Sequence, residues 1–177
     1  MDGIYLDFSK AFDTLSHRSL LYKLKAYGIS ANIIRWISSY LSGRTQHVRI
    51  DGCLSSLIDV SSGVPQGSHL GPILFALYLD DLLWMLKNIK FLAYADDIKI
   101  FKTIKSDGDA HALQAALNTI LQWCHINGMK LNTYKCHLIS FTRCHTRLDH
   151  TYSIGNSFIN RVNQLMDLGV SHIIHLF

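Results

Sequence analysis

Two adjacent aspartates lie between two apolar, strand-like runs, and this arrangement constrains the fold more than any other feature of the chain. Asp96 and Asp97 follow the run 91–95 and precede the run 98–101. A tight turn between two such runs makes a β-hairpin, whose tip would present both carboxylates together. Crowding two like charges costs free energy unless a cation compensates for it. The pair is therefore either a divalent metal site or an ordinary polar turn, in which Asp is also common.

The size and charge of the chain restrict the classes of protein to which it can belong. With 177 residues, of which 49% are hydrophobic, the chain is long enough for one domain with a substantial core and too short for two large domains. The net charge of +4 is compatible with a polyanionic partner and does not demonstrate one. The chain opens on a strand-like run rather than a signal peptide, so we expect an intracellular protein of the nucleus or cytoplasm.

The four cysteines are Cys53, Cys124, Cys136 and Cys144. They lack both the paired short spacing of a zinc site and the density of a disulfide scaffold, so we expect reduced thiols. The alternative is a metal cluster formed by the neighbouring Cys–His pairs at 136–137 and 144–145.

Apolar periodicity and turn residues predict a mixed order of strands and helices. The predicted elements are a buried strand at 4–8, helices over 16–28 and 30–43, a hairpin over 45–60 that turns at Asp51-Gly52, apolar and amphipathic helices at about 69–87 and 109–126, and short strands from 138 onward. Ser68 is the expected N-cap of the apolar helix, and Asp80 and Asp81 are expected to end it. These aspartates and Pro72 interrupt the apolar stretch, which favours a buried helix over a membrane span. Mixed elements with antiparallel signals indicate an α+β fold.

A third carboxylate, Asp7, lies at the end of the first predicted strand. An ionised side chain is costly there without a partner, although a lone strand-end Asp is more often a capping residue. An antiparallel sheet can bring this carboxylate beside the hairpin-tip pair. Three Asp side chains in one place favour a hard cation such as Mg²⁺. Two such ions, held about 4 Å apart, can stabilise both the attacking and the leaving oxygens of a phosphoryl or nucleotidyl transfer.

Several segments occur in an order that carries a resemblance to a known family. They are LDFSKAFD at 6–13, SGVPQGSHLGP at 62–72, YADD at 94–97, NGMKLNTYK at 127–135 and LGV at 168–170. Together they resemble the successive palm motifs of reverse transcriptases, and most closely those of non-LTR retrotransposons of the LINE type, such as jockey. A four-letter match alone would be weak, but the ordered set covers nearly the whole chain.

The resemblance implies a metal centre. Asp7 and Asp96 would bind the catalytic Mg²⁺ ions, for which Mn²⁺ can substitute, and Asp97 would be a neighbouring acidic ligand or an electrostatic helper. Phe8 would offer its backbone carbonyl to a metal. The implied fold is a polymerase palm over residues 1–177, with a ferredoxin-like antiparallel sheet backed by helices, partial fingers and no thumb.

The resemblance also implies residues that contact the nucleotide. Phe12 would be the steric gate that rejects a 2′-hydroxyl, whereas without the motif it would be read as core. Pro65, Gln66 and Gly67 would form the loop that contacts the incoming nucleotide and the template base pair. Lys135 would approach the triphosphate and protonate the departing pyrophosphate; the alternative is a solvated surface lysine.

The ends of the chain depart from the family pattern. Only six residues precede Asp7, so we expect the upstream fingers to be missing, and the chain stops just past the LGV segment, so we expect no thumb. Leu168 and Gly169 of that segment would help to form the primer grip. The implied partners are an RNA template, a DNA primer, dNTPs and the missing segments or full-length retroelement protein, with no membrane.

Two functional hypotheses of different classes follow. The first is an RNA-directed DNA polymerase that transfers nucleotides from dNTPs to a primer 3′-hydroxyl. The second is a non-catalytic retroelement remnant or a weak nucleic-acid-binding fragment. An RNA-templated RNA polymerase of viral type would have a similar palm centre. The Phe12 gate argues against this alternative, because such an enzyme must admit the 2′-hydroxyl.

Overall fold

A computed structural model describes residues 1–86, 88–141, 149–167 and 170–173 of the chain. The helices of these residues are α1 (Ala11–Thr14), α2 (His17–Ala26), α3 (Ala31–Leu41), α4 (Leu70–Met85) and α5 (Asp107–Asn127). The strands are β1 (Asp2–Leu6), β2 (Thr45–Gln46), β3 (Arg49–Ile50), β4 (Cys53–Leu54), β5 (Ile58–Asp59), β6 (Lys90–Tyr94), β7 (Asp97–Lys102), β8 (His137–Ser140), β9 (Ser153–Ile154), β10 (Ser157–Phe158), β11 (Asn160–Arg161), β12 (Gln164–Asp167) and β13 (Val170–Ile173).

A five-stranded sheet has the strand order β11–β8–β1–β7–β6, and one of the predicted carboxylates, Asp97, is the first residue of its strand β7. Its central strand, β1, pairs antiparallel with both β7 and β8, and β6 extends the sheet antiparallel to β7. β11 is the exception, since it pairs with β8 in parallel. The predicted α+β fold with an antiparallel sheet is therefore confirmed, and the parallel edge strand is a feature that the sequence pattern did not indicate.

Strand β1 ends earlier than predicted. The sequence suggested a strand over 4–8, whereas β1 ends at Leu6. The reason is a change of partner: the carbonyl of Asp7 accepts a hydrogen bond of 2.8 Å from the backbone N–H of Asn132, and Phe8 pairs with Leu131 in an isolated antiparallel bridge. Asp7 therefore lies at the point where the chain leaves the sheet.

The chain divides into two compact units, one of residues 1–9 and 81–177 and the other of residues 10–80. The single-domain organisation expected over residues 1–177 stays a prediction.

In the first unit, α5 packs on β7. The core of this unit consists of aliphatic and aromatic side chains from the sheet and from one face of α5: Ile4, Leu6, Ile98, Ile100, Leu113, Leu117, Ile120 and Trp123. α5 begins with a capping box, in which the Ser106 hydroxyl accepts from the N–H of Asp109 and the Asp109 carboxylate accepts from the N–H of Ser106. Hydrogen bonds from the backbone of Lys105 and from the side chain of Ser106 lower the pKa of Asp109. Gly128, at φ +68°, caps the other end, as predicted from Asn127-Gly128.

In the second unit, local signals place α2, α3 and the hairpin as predicted, whereas the short helix α1 was not predicted. The Ser16 side chain caps α2 by accepting from the N–H of Ser19. Strands β3 and β4 pair around Asp51 and Gly52, whose φ angles of +48° and +82° match the turn that favours Asp-Gly. The Ser68 hydroxyl accepts a hydrogen bond of 3.0 Å from the N–H of Gly71 and so stabilises the start of α4.

The expectation that Asp80 and Asp81 end the apolar helix is wrong. Both residues lie within α4, which continues to Met85. The Asp81 carboxylate accepts a hydrogen bond of 2.9 Å from the indole N–H of Trp123, so a partner distant in sequence accommodates it. Lys87, at the predicted end of the helix, lies outside the described residues. No helix of the described part of the chain is both long and apolar enough to cross a membrane.

Candidate functional site

The antiparallel register brings two of the predicted carboxylates to the same end of neighbouring strands. The last aligned pair of β1 and β7 is Leu6 with Ile98. Asp7 follows Leu6 and Asp97 precedes Ile98, so both residues lie directly beyond this pair, at the same end of the two strands. Asp96 precedes Asp97 in the tight turn that joins β6 to β7. All three predicted metal ligands thus lie at the same end of β1 and of the β6–β7 hairpin.

The hairpin turn itself has a strained backbone. Tyr94 pairs with Asp97, so the turn consists of Ala95 and Asp96, and Asp97 is the first residue of β7 rather than part of the tip. Ala95 adopts a φ of +53°, a left-handed conformation that costs a residue with a Cβ about 1 kcal/mol. The strand pairs on both sides hold the turn in this conformation. The paired strands therefore fix the position of Asp96 in the turn.

The backbone around Asp7 is anchored by the segment 130–132. In addition to the bond from Asn132 to Asp7, the N–H of Ser9 donates to the carbonyl of Lys130 at 2.8 Å. This pair of hydrogen bonds uses the carbonyls of Asp7 and Lys130 and leaves the carbonyl of Phe8 outside it. The geometry is compatible with the predicted role of the Phe8 carbonyl as a ligand, which stays a prediction.

A lysine predicted to take part in catalysis contacts the first carboxylate. The Lys135 ammonium nitrogen lies 3.5 Å from a carboxylate oxygen of Asp7, with side-chain exposures of 67% and 29% respectively. Because both groups reach solvent, the ion pair contributes little to stability, below about 1 kcal/mol. Its significance is positional, since it places a proton-bearing cation beside the predicted metal ligand.

The donor set has the right chemistry for Mg²⁺, although the side chains do not converge. Carboxylate and carbonyl oxygens are the ligands that this ion prefers. No group of three or more His, Cys, Asp or Glu side chains within the described residues is arranged to hold a metal. Three carboxylates repel one another when no cation lies among them. The shared metal set of Asp7, Asp96 and Asp97 therefore stays a prediction, supported by the register and by the chemistry of the ligands.

The buried cysteines behave as core residues. Burial raises the pKa of Cys124 to about 12, with a smaller contribution from Cys136. Burial also raises the pKa of Cys136, against a backbone hydrogen bond with Asp7 that lowers it. Both thiols thus stay protonated at neutral pH. Cys144 and His145 lie outside the described residues, so the alternative Cys–His cluster is not tested.

The second unit contains the residues predicted to contact the nucleotide. Phe12 stacks on Phe75 with ring centroids 4.7 Å apart, so a packing contact fixes the ring of the predicted steric gate. Gln66 lines a polar cleft of about 500 Å³ together with Lys10, Asp13 and Arg44. Of the two flanking loop residues, Pro65 is half-buried and Gly67 is exposed, with Gly67 at φ +75°.

Sequence reasoning missed two side chains that contact this loop. No functional role was predicted from the sequence for Asp13, which belongs to the first motif, or for His17. The Asp13 carboxylate accepts a hydrogen bond of 3.0 Å from the side-chain amide of Gln66. The His17 Nε2 atom lies 2.6 Å from the carbonyl oxygen of Gly63. No spacing signal could have paired groups that lie 53 and 46 residues apart.

The predicted primer-grip residues, Leu168 and Gly169, lie outside the described residues. Their role therefore stays a prediction.

Comparison with known proteins places these motifs in a family. Residues 3–170 match the family model described as "Reverse transcriptase (RNA-dependent DNA polymerase)". Two relatives are described as the RNA-directed DNA polymerase from mobile element jockey. The one from Drosophila funebris is 32% identical over 174 residues, which cover 94% of this chain and 19% of the relative. The one from Drosophila melanogaster is 33% identical over 147 residues, which cover 78% of this chain and 16% of the relative.

Among solved structures, the apo telomerase from Candida tropicalis truncated from its C-terminal domain has a similar fold. The match has a TM-score of 0.66 and 16% identity, and it covers 96% of this chain and 33% of that one. At this identity the likeness supports the fold alone. The chain spans less than a fifth of the length of the two jockey relatives.

Proposed function

The chain belongs to the reverse transcriptase (RNA-dependent DNA polymerase) family, and from this premise we propose that it carries the palm centre of an RNA-directed DNA polymerase. The proposed reaction is the transfer of a nucleotide from a dNTP to the 3′-hydroxyl of a DNA primer, directed by an RNA template. The observation that supports this proposal is the β1–β7 register, whose last pair, Leu6 with Ile98, is followed by Asp7 on one strand and preceded by Asp97 and the Asp96 turn on the other.

The proposed metal ligands are the carboxylates of Asp7, Asp96 and Asp97 and the backbone carbonyl of Phe8. Mg²⁺ bound there, or Mn²⁺ in its place, would neutralise the charge of the triphosphate and favour ionisation of the primer hydroxyl. Nucleotidyl transfer needs little covalent help from a protein, because positioning and charge stabilisation provide most of the catalysis. A centre built mainly from carboxylates is consistent with this chemistry.

The other side chains have proposed roles of their own. Phe12, whose ring stacks on Phe75, would exclude the 2′-hydroxyl of a ribonucleotide. Gln66, with Pro65 and Gly67, would contact the incoming nucleotide and the template base pair. Lys135 would donate a proton to the departing pyrophosphate. Leu168 and Gly169 would contact the primer.

A primer-extension assay tests the proposed function. The chain is incubated with an RNA template, a labelled DNA primer, Mg²⁺ and either dNTPs or rNTPs, and extension is followed on a denaturing gel. We expect extension with dNTPs, a strong preference over rNTPs, and loss of extension when EDTA removes the metal. No extension under any metal condition would favour the alternative, a non-catalytic retroelement remnant or a weak nucleic-acid-binding fragment.

Substitutions of Lys135 can separate two roles. Its positive charge acts electrostatically beside Asp7, whereas proton donation to pyrophosphate requires an acid that can release its proton. Lys135→Arg keeps the positive charge beside Asp7, but a guanidinium does not release a proton at working pH. We expect both Lys135→Arg and Lys135→Ala to reduce the incorporation rate by roughly 10²–10⁴-fold, the usual contribution of a general acid. The free energy of unfolding should change by less than about 1 kcal/mol in either variant. Single-turnover incorporation and urea unfolding measure the two effects, and full activity of the Arg variant would assign Lys135 a purely electrostatic role.

A further inference from the structure

The side-chain amide of Gln66 has a fixed hydrogen-bonding partner. Its Nε2 atom lies 3.0 Å from a carboxylate oxygen of Asp13. An ionised carboxylate can only accept hydrogen bonds, whereas an amide has one end that donates and one that accepts. Gln66 must therefore present its NH₂ group to Asp13. Its carbonyl oxygen is left as the group that it can offer to any other partner.

The backbone on both sides of this contact is also held in place. Segment 62–66 binds segment 12–17 through main-chain hydrogen bonds from Gly63 to the carbonyl of Leu15 (2.7 Å) and from Val64 to the carbonyl of Phe12 (2.8 Å). The Ser62 hydroxyl donates to the carbonyl of Asp13 at 2.8 Å. These bonds fix the distance between the segments before any ligand arrives. The bond between Asp13 and Gln66 therefore forms between two groups that are already in position.

The side chain of His17 adds a hydrogen bond between the same two segments. Its Nε2 atom lies 2.6 Å from the carbonyl oxygen of Gly63. A carbonyl oxygen can only accept, so the imidazole must carry a proton on Nε2. We call these three side-chain contacts, Asp13 with Gln66, His17 with Gly63 and Ser62 with the carbonyl of Asp13, the loop clamp.

The carboxylate and the amide face a space that can admit a ligand. Both side chains line the polar cleft of about 500 Å³, which Lys10 and Arg44 also line. Both residues are exposed, so the clamp leaves the amide accessible. An accessible amide with a preset orientation is suited to recognising a ligand, because the cost of ordering it is met before binding.

We propose that Asp13 is a positioning residue for the incoming nucleotide: its carboxylate orients the Gln66 amide so that the amide oxygen accepts a hydrogen bond from a donor group of the nucleotide. This inference rests on the proposed function for the role of Gln66. The orientation of the amide is independent of that function. A positioning residue of this kind acts on nucleotide binding and leaves the chemical step to the metal centre.

The orientation is tested by NMR of the side-chain amides, with the Gln66 signals identified from their loss in Gln66→Ala. In the unaltered chain we expect these signals to be displaced from random-coil positions and slowed in hydrogen exchange. Asp13→Asn should return them to random-coil positions, since an amide partner can both donate and accept and so permits either orientation. Asp13→Glu should retain part of the displacement. Asp51→Asn, which removes the same charge at an exposed turn of the same unit, should leave the signals unchanged. Unaltered signals in Asp13→Asn would overturn the proposal whether or not the chain polymerises.

A double-mutant cycle in the primer-extension assay tests whether Asp13 affects nucleotide binding through Gln66. We expect Asp13→Asn to raise KM for the dNTP by roughly three- to tenfold, the effect of losing one hydrogen bond, and to change kcat by less than about twofold. In a Gln66→Ala background the same substitution should have no further effect on KM. Additive effects, or a loss confined to kcat, would show that Asp13 does not act through Gln66. Absence of extension in the unaltered chain would count against the proposed function alone, because the NMR result stands independently.

Discussion

Asp96→Asn should abolish metal-dependent nucleotide incorporation, with a loss of roughly 10³-fold or more. Asn has nearly the shape of Asp and is equally suited to a tight turn, so the hairpin should fold unchanged. The substitution removes the negative charge, and with it the capacity to hold a divalent cation beside Asp7 and Asp97. Single-nucleotide incorporation on an RNA template, measured under single-turnover conditions, gives the effect directly.

The matched control for this prediction is Asp51→Asn. This residue also lies in a tight hairpin turn and is exposed, so the control removes the same charge from the same kind of structure. We expect it to retain full incorporation, and both variants to keep their thermal midpoints within a few degrees of the unaltered chain. Incorporation that survives in Asp96→Asn would remove Asp96 from the catalytic centre.

Gly63→Ala should destabilise the second unit by roughly 2–5 kcal/mol. Gly63 has a φ of +81°, and a Cβ placed there would lie 2.6 Å from the carbonyl oxygen of Phe12 and 2.7 Å from both the Cα and the carbonyl oxygen of Asp13. All these atoms belong to the backbone of the segment that the loop contacts, so no side chain can rotate away to make room. The two segments must separate, which breaks the loop clamp and displaces Gln66. Urea unfolding measures the loss of stability, and KM for the dNTP measures the displacement of the loop.

Gly43→Ala separates steric overlap from backbone strain. Gly43 has a similar φ of +66°, but a Cβ there would meet nothing within 4 Å. Its substitution should cost only the strain of a left-handed residue, about 1 kcal/mol. Equal losses in the two variants would mean that the close contact of Gly63 with segment 12–13 does not matter.

Short-range signals account for the parts of the fold that the sequence predicted well. Asp51-Gly52 turns the hairpin with two positive φ angles. Ser16 caps the start of α2 through its side-chain hydrogen bond, and Gly128 ends α5 through its left-handed conformation. The two strands on either side of Asp96 followed from their apolar runs. In each case the residue that specifies the structure lies within a few positions of the structure it specifies.

The features that the sequence analysis did not predict have a different cause, because each of them depends on a partner that is distant in sequence. Asp81 remains inside α4 beside Trp123, which lies 42 residues away. β1 ends at Leu6 because the backbone near Leu131 takes over the pairing. The bond between Asp13 and Gln66 spans 53 residues. Periodicity and capping rules describe one segment at a time, so they cannot identify such pairs.

The candidate site was predictable to a similar extent. The ordered motifs predict Asp7, Asp96 and Asp97 as metal ligands, and the register of β1 and β7 ends with Leu6 and Ile98, the neighbours of Asp7 and Asp97. The exact turn was not predictable: Ala95 and Asp96 form it, with Ala95 at φ +53°, whereas the sequence suggested that both aspartates would share the tip. The pairing of both flanking strands decides which residue adopts the left-handed conformation. The pattern of apolar residues in one segment does not contain this information.

We propose that Asp7, Asp96 and Asp97 form one metal centre, and a titration with Mn²⁺ followed by NMR is a direct test of this proposal. Paramagnetic Mn²⁺ broadens the signals of nuclei close to its site, and the measurement does not require polymerase activity. We predict that substoichiometric Mn²⁺ first broadens the amides of residues 7, 8, 96 and 97, that excess Mg²⁺ reverses the broadening, and that Asp7→Asn abolishes it. Broadening centred instead on Asp107 and Asp109, and unaffected by Asp7→Asn, would contradict the proposal.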